Sequence, residues 1–363
     1  MIEISPFPFQ GPLAPEQVTG RDELGRDLAE RLLQRRVTAL LGPRRYGKTS
    51  LLKRVAADLA QVGSETVWID LYALSSMADL ASAVDRGMAS VTSPVARTLH
   101  DIAGSLSLRL GVLGVELSRS RRDRPDPVLS LRILLQILVR AAERQPLVVV
   151  FDEFSGITDV KNAAGVLRTE LQHHYQDLSI VFAGSQPSTM RALFTDQAQP
   201  FFAQADLVEI GPMTGAAVTE VVEQGFADTG RSPGPVVPDL VRFADGHPQR
   251  AMQLADALWR HTEDGGTADA THWEATLADV RSSVDNGSER LFALLPSGQQ
   301  RALRVIAAGG SVFGTAADVV DLAPGTAQAA VESLVGNGYL ARGDRVRVID
   351  PLFGDWLRRR FPF

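Results

Sequence analysis

Apolar residues follow two patterns along residues 1–212. Short, mainly apolar segments predict strands, and they lie at 37–41, 66–72, 147–151, 179–183 and 206–210. Between them apolar residues recur every three or four positions, which predicts helices, most clearly at 22–34 and from Lys48 to Gly63. Strands that alternate with helices are typical of a parallel sheet covered on both faces. We therefore predict an α/β domain with a parallel sheet of about five strands.

The strand pattern stops near residue 213. Helical spacing predicts an all-helical unit, with helices at 216–229, 236–244 and 249–261. The last part of the chain predicts three helices, a hairpin and a final helix, at 298–308, 315–321, 326–336, 339–349 and 351–360. Three helices followed by a hairpin indicate a winged-helix module. The predicted parts are an N-terminal arm at 1–20, a core at 21–212, a helical lid at 213–285 and a winged-helix domain at 286–363.

The loop after the first predicted strand has the residue pattern of a P-loop. Gly42 and Gly47 enclose four variable residues, and Lys48 and Thr49 follow at the start of a helix. Glycines let backbone N–H groups approach phosphate oxygens, and the N-terminus of the next helix favours negative charge. Lys48 would reach the β- and γ-phosphates, and Thr49 would bind Mg²⁺. The residues expected to bind nucleotide here are Gly42, Pro43, Arg44, Arg45, Tyr46, Gly47, Lys48, Thr49 and Ser50.

The third predicted strand ends in two carboxylates, Asp152 and Glu153. Asp152 would hold Mg²⁺, and Glu153 would polarise the attacking water. A glutamate directly after the Mg²⁺ aspartate is typical of the P-loop class in which one extra strand separates the loop strand from the aspartate strand. We expect the fourth predicted strand to be that extra strand, so that Ser185 or Gln186 after it lies beside the γ-phosphate. The predicted catalytic residues are Lys48, Asp152, Glu153 and Ser185.

Composition and short motifs indicate which ligand and which cellular compartment to expect. The formal net charge is −6, whereas proteins that bind nucleic acid through electrostatics are normally basic. The chain has no cysteine, which excludes disulfides and thiolate metal sites. It lacks the Asn-Lys-x-Asp pattern of guanine recognition, so ATP with Mg²⁺ is expected. Neither a signal peptide nor an apolar run long enough to span a membrane is visible, and we expect a cytoplasmic protein.

Several motifs occur in the same order as in archaeal-type ATPases. Besides the P-loop they are Thr-Gly-Arg-Asp-Glu at 19–23, Pro-Phe-Phe at 200–202, Gly-His-Pro at 246–248 and Asp-Pro-Leu-Phe at 350–353. Over most of its length the chain thus resembles the archaeal-type P-loop ATPase family, relatives of the STAND and AAA+ ATPases. The resemblance implies an AAA+-type core, a helical lid and a C-terminal winged helix. It also implies that Arg21 and Pro248 close over the adenine from opposite sides.

Three positions differ from this family pattern or leave its assignment open. Related proteins often have an arginine after the Pro-Phe-Tyr segment that acts on a neighbouring subunit, but Gln204 stands there. AAA+ relatives place a sensor arginine where this chain has Gln249, and Arg250 follows it. Adjacent helical residues point about 100° apart, so Arg250 need not face the phosphate. The roles of these three residues, and homo-oligomer formation, stay open.

Three functions fit this sequence. The preferred one is an ATP-driven molecular switch, in which the nucleotide state moves the lid and winged helix relative to the core. The second is a DNA-handling AAA+ ATPase of the initiator or transposition-helper type. The third is a signalling scaffold that binds ATP and hardly hydrolyses it. The intact pair of Asp152 and Glu153 favours hydrolysis, although at a slow rate.

The C-terminal part favours a protein partner, bound through the winged helix or the lid, over recognition of a specific DNA sequence. Recognition helices reach base edges with Arg, Lys, Asn or Gln, and the segment 326–335 offers only Gln328. Other arginines would support weak non-specific DNA contact, namely Arg342, Arg345, Arg347, Arg358, Arg359 and Arg360. The insert between Tyr72 and Leu147 matches no familiar pattern. Its arginine-rich stretch at 118–124 predicts a solvated loop or a polyanion contact.

Overall fold

A computed structural model describes residues 4–92, 94–105, 126–343 and 345–362. Its strands are β1 (Thr38–Leu41), β2 (Glu65–Asp70), β3 (Leu147–Asp152), β4 (Ser179–Gly184) and β5 (Asp206–Glu209). They form one sheet in the order β2-β3-β4-β1-β5, and every neighbouring pair is parallel. This confirms the predicted α/β fold. It also places β4 between the loop strand β1 and the aspartate strand β3, as expected for the extra strand.

Helices connect these strands. They are α1 (Asp22–Leu33), α2 (Lys48–Gln61), α3 (Met77–Ala89), α4 (Pro94–Ser105), α5 (Pro127–Arg144), α6 (Ala163–Leu171) and α7 (Pro187–Thr195). The insert between β2 and β3 contains α3, α4 and α5, of which α3 and α5 pack closely on each other. The arginine-rich stretch at 118–124 lies outside the described residues.

The two central strands β3 and β4 are buried along their whole length, which is why their sequences are continuous apolar runs. Five phenylalanine rings, including Phe151 of β3 and Phe182 of β4, pack against one another, and Phe154 and Phe182 have ring centroids 4.3 Å apart. Phe201 contacts both of these rings at 5.3 Å. Phe201 belongs to the Pro-Phe-Phe segment, so that segment anchors the chain to the core just before β5.

Four further helices follow the sheet, α8 (Gly215–Asp228), α9 (Val237–Ala244), α10 (Pro248–His261) and α11 (Ala270–Ala293). Their apolar faces share a core that contains Leu240 and Val280, together with Phe7 from the arm. The domain boundary predicted at residues 285 and 286 falls inside α11. The last turn of α11 packs in the next core through Phe292, so one continuous helix joins the lid to the C-terminal unit.

The C-terminal unit consists of α12 (Ser297–Ala307), α13 (Thr315–Val319), α14 (Pro324–Gly336), β6 (Leu340–Ala341), β7 (Arg347–Val348) and α15 (Pro351–Arg360). β6 and β7 pair antiparallel, with Leu340 opposite Val348. The order of elements is the one expected, and the winged-helix assignment itself stays a prediction. α14 reaches the core domain, where the Ser188 hydroxyl of α7 donates to the Gly336 carbonyl at 3.3 Å.

Within the described ranges, no helix combines the length and the apolar character needed to cross a membrane.

Candidate functional site

The carboxyl ends of three neighbouring strands meet beside the P-loop (residues 42–49). β1 leads directly into that loop, β3 ends at Asp152 with Glu153 after it, and Ser185 follows β4. Because these strands are parallel, their carboxyl ends lie at the same edge of the sheet. The structure therefore brings together the P-loop and the three polar residues that were predicted to act with it.

The backbone of the P-loop explains its two glycines. A side chain at Gly42 would meet Ile210 at 2.3 Å, so only glycine lets the chain leave β1 this close to the end of β5. Gly47 has φ 88°, a left-handed conformation that glycine adopts without strain. Gly47 immediately precedes α2, whose first N–H groups are free to bind an anion.

Lys48 is held inside the loop. Its Nζ donates to the carbonyl oxygens of Gly42 at 2.8 Å and Pro43 at 2.9 Å, and the residue is only 5% exposed. Burial lowers the pKa of Lys48 to about 8, although the charges of Glu153 and Asp152 act in the opposite direction. A phosphate in the loop would raise that pKa and keep the lysine charged.

Thr49 and Asp152 form a pair of oxygen ligands. The Thr49 hydroxyl donates to Oδ2 of Asp152 at 2.9 Å, and Oδ1 accepts from the backbone N–H of Glu153 at 3.0 Å. Burial raises the pKa of Asp152, while these two hydrogen bonds oppose the increase. Hydroxyl and carboxylate oxygens are hard ligands that suit Mg²⁺. The two residues therefore fit the metal role predicted for them.

Glu153 and Ser185 contact each other directly. The Ser185 hydroxyl donates to Oε2 of Glu153 at 2.6 Å, and both residues line the same cavity. Glu153 has φ 51°, which is uncommon for a residue with a side chain and typical of functional sites. Gln186, the alternative to Ser185, instead accepts from Thr189 at 3.1 Å and is not among the cavity residues.

The N-terminal arm lies against the P-loop side of the cavity. The backbone N–H of Leu13 donates to the hydroxyl of the buried Ser50 at 3.0 Å. Arg21, at the end of the arm, donates through Nη2 to the Gly211 carbonyl at 2.7 Å, and burial lowers the pKa of Arg21. Ser50 therefore holds the arm, and Arg21 lies in the cavity wall with its guanidinium engaged by backbone oxygen.

The lid reaches the cavity at the first turn of α10. His247 caps this helix by accepting from the backbone N–H of Arg250 at 3.4 Å, and burial lowers the pKa of His247 to about 4. Its ring stands edge-on to Tyr46 of the P-loop, with ring centroids 5.1 Å apart. Pro248 occupies the first helical position, where its missing N–H costs nothing. The lid and the P-loop are thus in direct contact.

Arg250 contacts the C-terminal unit. Its Nε and Nη2 donate to the carboxylate of Asp350 at 3.0 and 2.5 Å. Asp350 in turn caps α15 by accepting from the backbone N–H of Leu352 at 3.0 Å. Burial favours the neutral acid, but the hydrogen bonds and charge of Arg250 prevail and hold the pKa of Asp350 below its usual range. One carboxylate therefore ties the lid to the start of α15.

Most of these parts line one cavity of about 740 Å³, within the usual range of ligand pockets. Gly42, Pro43, Asp152 and Arg250 are not among its lining residues, and Asp152 contacts the cavity residue Thr49. The polar residues of the cavity include Arg44, Arg45, Lys48, Thr49, Glu153 and Ser185. Its apolar residues include Pro8, Phe9, Leu13, Met213, Val221 and Met252 from the arm and lid. The C-terminal unit adds Tyr339, Ile349, Asp350 and Phe353. The polar residues suit phosphates with Mg²⁺, and the apolar ones suit a base.

Sequence patterns alone assign no site role to His247 or Asp350. The available signal is that each precedes a proline at the start of a helix, an arrangement typical of helix caps. Nothing in the sequence indicates that these two helix starts meet at one cavity. Gln204 is not among the cavity residues; it is half-buried, and its side chain donates to the Phe202 carbonyl at 3.4 Å.

Comparisons with known proteins confirm the resemblance to archaeal-type P-loop ATPases. A family model described as Novel STAND NTPase 1 matches residues 14–309. The Walker-type ATPase PABY2304 of Pyrococcus abyssi has a similar structure, with a TM-score of 0.72 and 20% identity over 97% of this chain and 99% of that chain. The ORC2 protein of Aeropyrum pernix, solved with ADPNP and ADP, has a TM-score of 0.61 and 15% identity over 98% of both chains. No curated protein matches the sequence significantly.

Proposed function

The chain belongs to the Novel STAND NTPase 1 family, and on that premise we propose that it is a Mg²⁺-dependent ATPase that acts as a nucleotide-driven molecular switch. One observation carries this proposal. The cavity that contains the P-loop and Glu153 is also lined by Tyr339, Asp350 and Phe353 of the C-terminal unit. A nucleotide that fills this cavity would therefore contact both the proposed hydrolytic groups and the unit that is to be moved.

Hydrolysis would use the groups at the sheet edge. Lys48 would hold the phosphates, and Thr49 with Asp152 would hold Mg²⁺, which when bound supplies positive charge against the phosphate oxygens. Glu153 would orient and polarise the attacking water. The Ser185 hydroxyl donates to one oxygen of the Glu153 carboxylate, so that oxygen is less available to accept a proton from water. That contact supports a slow turnover and gives Ser185 a role that acts through Glu153.

Movement would depend on the ion pair of Arg250 with Asp350. Arg45 of the P-loop lies close enough for both charges to act on it: burial lowers the pKa of Arg45, the Arg250 charge lowers it further, and the Asp350 charge raises it. A phosphate that reached this region would compete with Asp350 for the two arginines. We infer that nucleotide binding weakens the contact between the lid and α15, and so changes the position of the C-terminal unit.

The contacts of the C-terminal unit favour a protein partner over DNA. Gln328, the expected base-contacting residue, donates to Glu332 on its own helix at 3.1 Å. Among the arginines expected to contact DNA, Arg347 pairs with Asp245 of the lid, and Arg359 pairs with Asp285 at 2.7 Å. These charges are engaged within the protein. We therefore propose a protein partner on the lid or the C-terminal unit of a cytoplasmic protein, and only weak non-specific contact with DNA.

The test is the steady-state release of phosphate from ATP, with and without Mg²⁺ and duplex DNA, together with the mass of the nucleotide-bound species. The proposal expects turnover that requires Mg²⁺, is slower than the usual range of about 1–1000 s⁻¹ and does not respond to DNA. Tight ATP binding without phosphate release would instead support the scaffold. A strong increase with DNA would support the DNA-handling ATPase. The measured mass decides whether the active species is an oligomer.

A further inference from the structure

The N-terminal arm joins the lid to the core alongside the P-loop cavity. We call residues 8–17 the strap, because two buried residues, Phe7 and Val18, lie immediately before and after it. Six strap residues line the cavity, namely Pro8, Phe9, Gly11, Pro12, Leu13 and Gln17. A ligand that fills this cavity would therefore lie against the strap.

Phe7 anchors the strap to the lid. It is 1% exposed and belongs to the apolar core of the lid helices, where its ring lies 5.6 Å from that of Phe226 on α8. A Cβ at Gly225 would meet the Phe7 ring at 2.5 Å, so glycine leaves the space that the ring occupies on α8. One polar contact adds to this anchor, since Nε2 of Gln249 donates to the Phe9 carbonyl at 3.0 Å.

The other end of the strap is fixed to the core by more contacts. Val18 is buried among apolar residues of α1 and α2, and its carbonyl accepts from Nη1 of Arg54 at 2.8 Å. The N–H of Leu13 donates to the Ser50 hydroxyl, and Pro15–Gln17 form a short helical turn that packs on α2. Because the lid end depends on fewer contacts, we expect the strap to detach from the lid and stay on the core.

Gly11 gives the strap a position at which its backbone can change. It has φ 75°, a left-handed conformation that glycine adopts without strain and that residues with a side chain avoid. Gly11 is exposed, and no atom lies within 4 Å of the place where a Cβ would be. A side chain at this position would therefore disfavour the present backbone conformation of the strap without a clash.

We propose that the strap is a gate that controls the entry and release of nucleotide. Exchange is slow while Phe7 and Val18 hold the two ends of the strap, and it is fast when Phe7 leaves the lid. The inference rests on the proposed function, since it requires that the cavity binds nucleotide. Each end of the strap belongs to a different unit, so a movement of the lid relative to the core would act directly on the gate.

The experiment measures the association and dissociation rates of fluorescent N-methylanthraniloyl-ADP with Mg²⁺ on the full chain. Phe7→Ala is expected to raise both rates at least about tenfold, because a barrier to passage acts in both directions. The dissociation constant should change less than either rate. Phe243→Ala is the matched control, since Phe243 also packs on the lid core and is not among the cavity residues. Both rates should survive that change.

A second pair of variants tests the strap without removing its anchor. Gly11→Ala should raise both rates about fivefold, since a left-handed alanine costs roughly 1 kcal/mol. Gly11→Asn should raise them less, because asparagine tolerates this conformation. Gly63→Ala is the control, at a glycine with φ 82° and the same open space that is not among the cavity residues. A thermal melt shows whether each variant is folded.

Three results would overturn the gate while leaving the ATPase switch intact. One is unchanged rates in folded Phe7→Ala and Gly11→Ala. Another is faster dissociation with unchanged association, because the strap would then only contribute contacts to the bound nucleotide. The third is equal acceleration in Phe7→Ala and Phe243→Ala, which would mean that any loosening of the lid speeds exchange. Failure of the unaltered chain to bind ADP or ATP would instead contradict the proposed function, and the inference with it.

Discussion

The two walls of the nucleotide cavity are built in different ways. We call the P-loop with Asp152, Glu153 and Ser185 the catalytic wall, after the role proposed for it, and these residues lie at the ends of parallel strands. The closing wall consists of the arm with the adjoining Arg21, the first turn of α10 and the C-terminal unit. Its parts are far apart in sequence, and a small number of polar contacts join them, such as those of Arg250 with Asp350 and of Gln249 with Phe9.

This difference suggests that the catalytic wall carries out the chemistry and that the closing wall moves. Strand ends inside a buried sheet keep catalytic groups in place, because packed cores resist small displacements. Hydrogen bonds and ion pairs between separate units can exchange for contacts with a ligand at little net cost. Substitutions in the catalytic wall should therefore change phosphate binding or hydrolysis. Substitutions in the closing wall should change the pH dependence of stability or the affinity for nucleotide, with the saturated rate kept.

The largest effect is expected at Lys48. Mg-ATP at about 100 times its dissociation constant should stabilise the unaltered chain by about 2.7 kcal/mol, and Lys48→Ala should lose most of this increase. The measurement is the melting temperature with and without Mg-ATP. Lys53→Ala is the matched control, because Lys53 lies exposed on the same helix. Equal stabilisation of Lys48→Ala and the unaltered chain would show that this loop is not the phosphate site.

The next largest effect is the pH dependence of the free energy of unfolding, to which His247 of the closing wall contributes. His247 has a pKa of about 4 in the folded protein and an ordinary value of 6.5. Below pH 6.5 the unfolded state takes up a proton that the folded state refuses, so stability present above pH 6.5 is lost as the pH falls towards 4. Between pH 7 and pH 5 this amounts to about 2 kcal/mol.

His247→Asn keeps a helix-capping side chain and removes the titrating group. Urea unfolding of this variant at pH 7 and pH 5 should therefore show a loss that is smaller by about 2 kcal/mol. His173→Asn, at an exposed histidine, should keep the full loss. The same pH dependence in His247→Asn and the unaltered chain would mean that the lid histidine is not buried in solution.

Glu153→Gln should lower ATP turnover at least about tenfold, or about 1.4 kcal/mol in activation free energy, and leave ATP binding intact. The reason is that the amide can still bind water but cannot take its proton. Asp70→Asn is the control, since Asp70 ends the neighbouring strand β2 and is not among the cavity residues. Unchanged turnover in Glu153→Gln would remove Glu153 from the catalytic wall.

The smallest effect is expected at Arg21. Arg21→Ala removes the hydrogen bond to the Gly211 carbonyl and should weaken ATP binding by less than about tenfold. The rate at saturating ATP should not change, because Arg21 belongs to the closing wall. Arg26→Ala, on the exposed side of α1, is the control. Normal affinity with a collapsed rate would place Arg21 among the catalytic groups.

The sequence predicted where the residues of the catalytic wall lie, because local chemistry determines their positions, and their catalytic roles stay proposals. The P-loop needs glycines at fixed positions, and the buried strands end where apolar runs meet polar residues, as at Asp152 and Ser185. The position of β4 between β1 and β3 followed from the glutamate after Asp152. Each of these signals lies within a few residues of the feature it marks.

The closing wall could be predicted only in part. The motifs of Arg21, Pro248 and Asp350 were visible, but the pairing of Arg250 with Asp350 joins residues separated by 100 positions, and no periodicity records such a contact. The same holds for α11, whose two halves pack in different cores. A helical spacing shows which face is apolar and does not show what covers it.

The most direct test of the switch is a distance between the core and the C-terminal unit. The chain has no cysteine, so Leu33→Cys and Phe313→Cys, at residues 58% and 65% exposed, can carry a pair of spin labels. Pulsed electron paramagnetic resonance on this doubly labelled chain, with Glu153→Gln added, would give the distribution of distances between the two labels without nucleotide, with ADP and with Mg-ATP. The account predicts that Mg-ATP shifts the distribution away from the one seen with ADP, and that Asp350→Asn shifts it in the same direction without nucleotide. Identical distributions in all three states, with ATP binding established in the same sample, would contradict it.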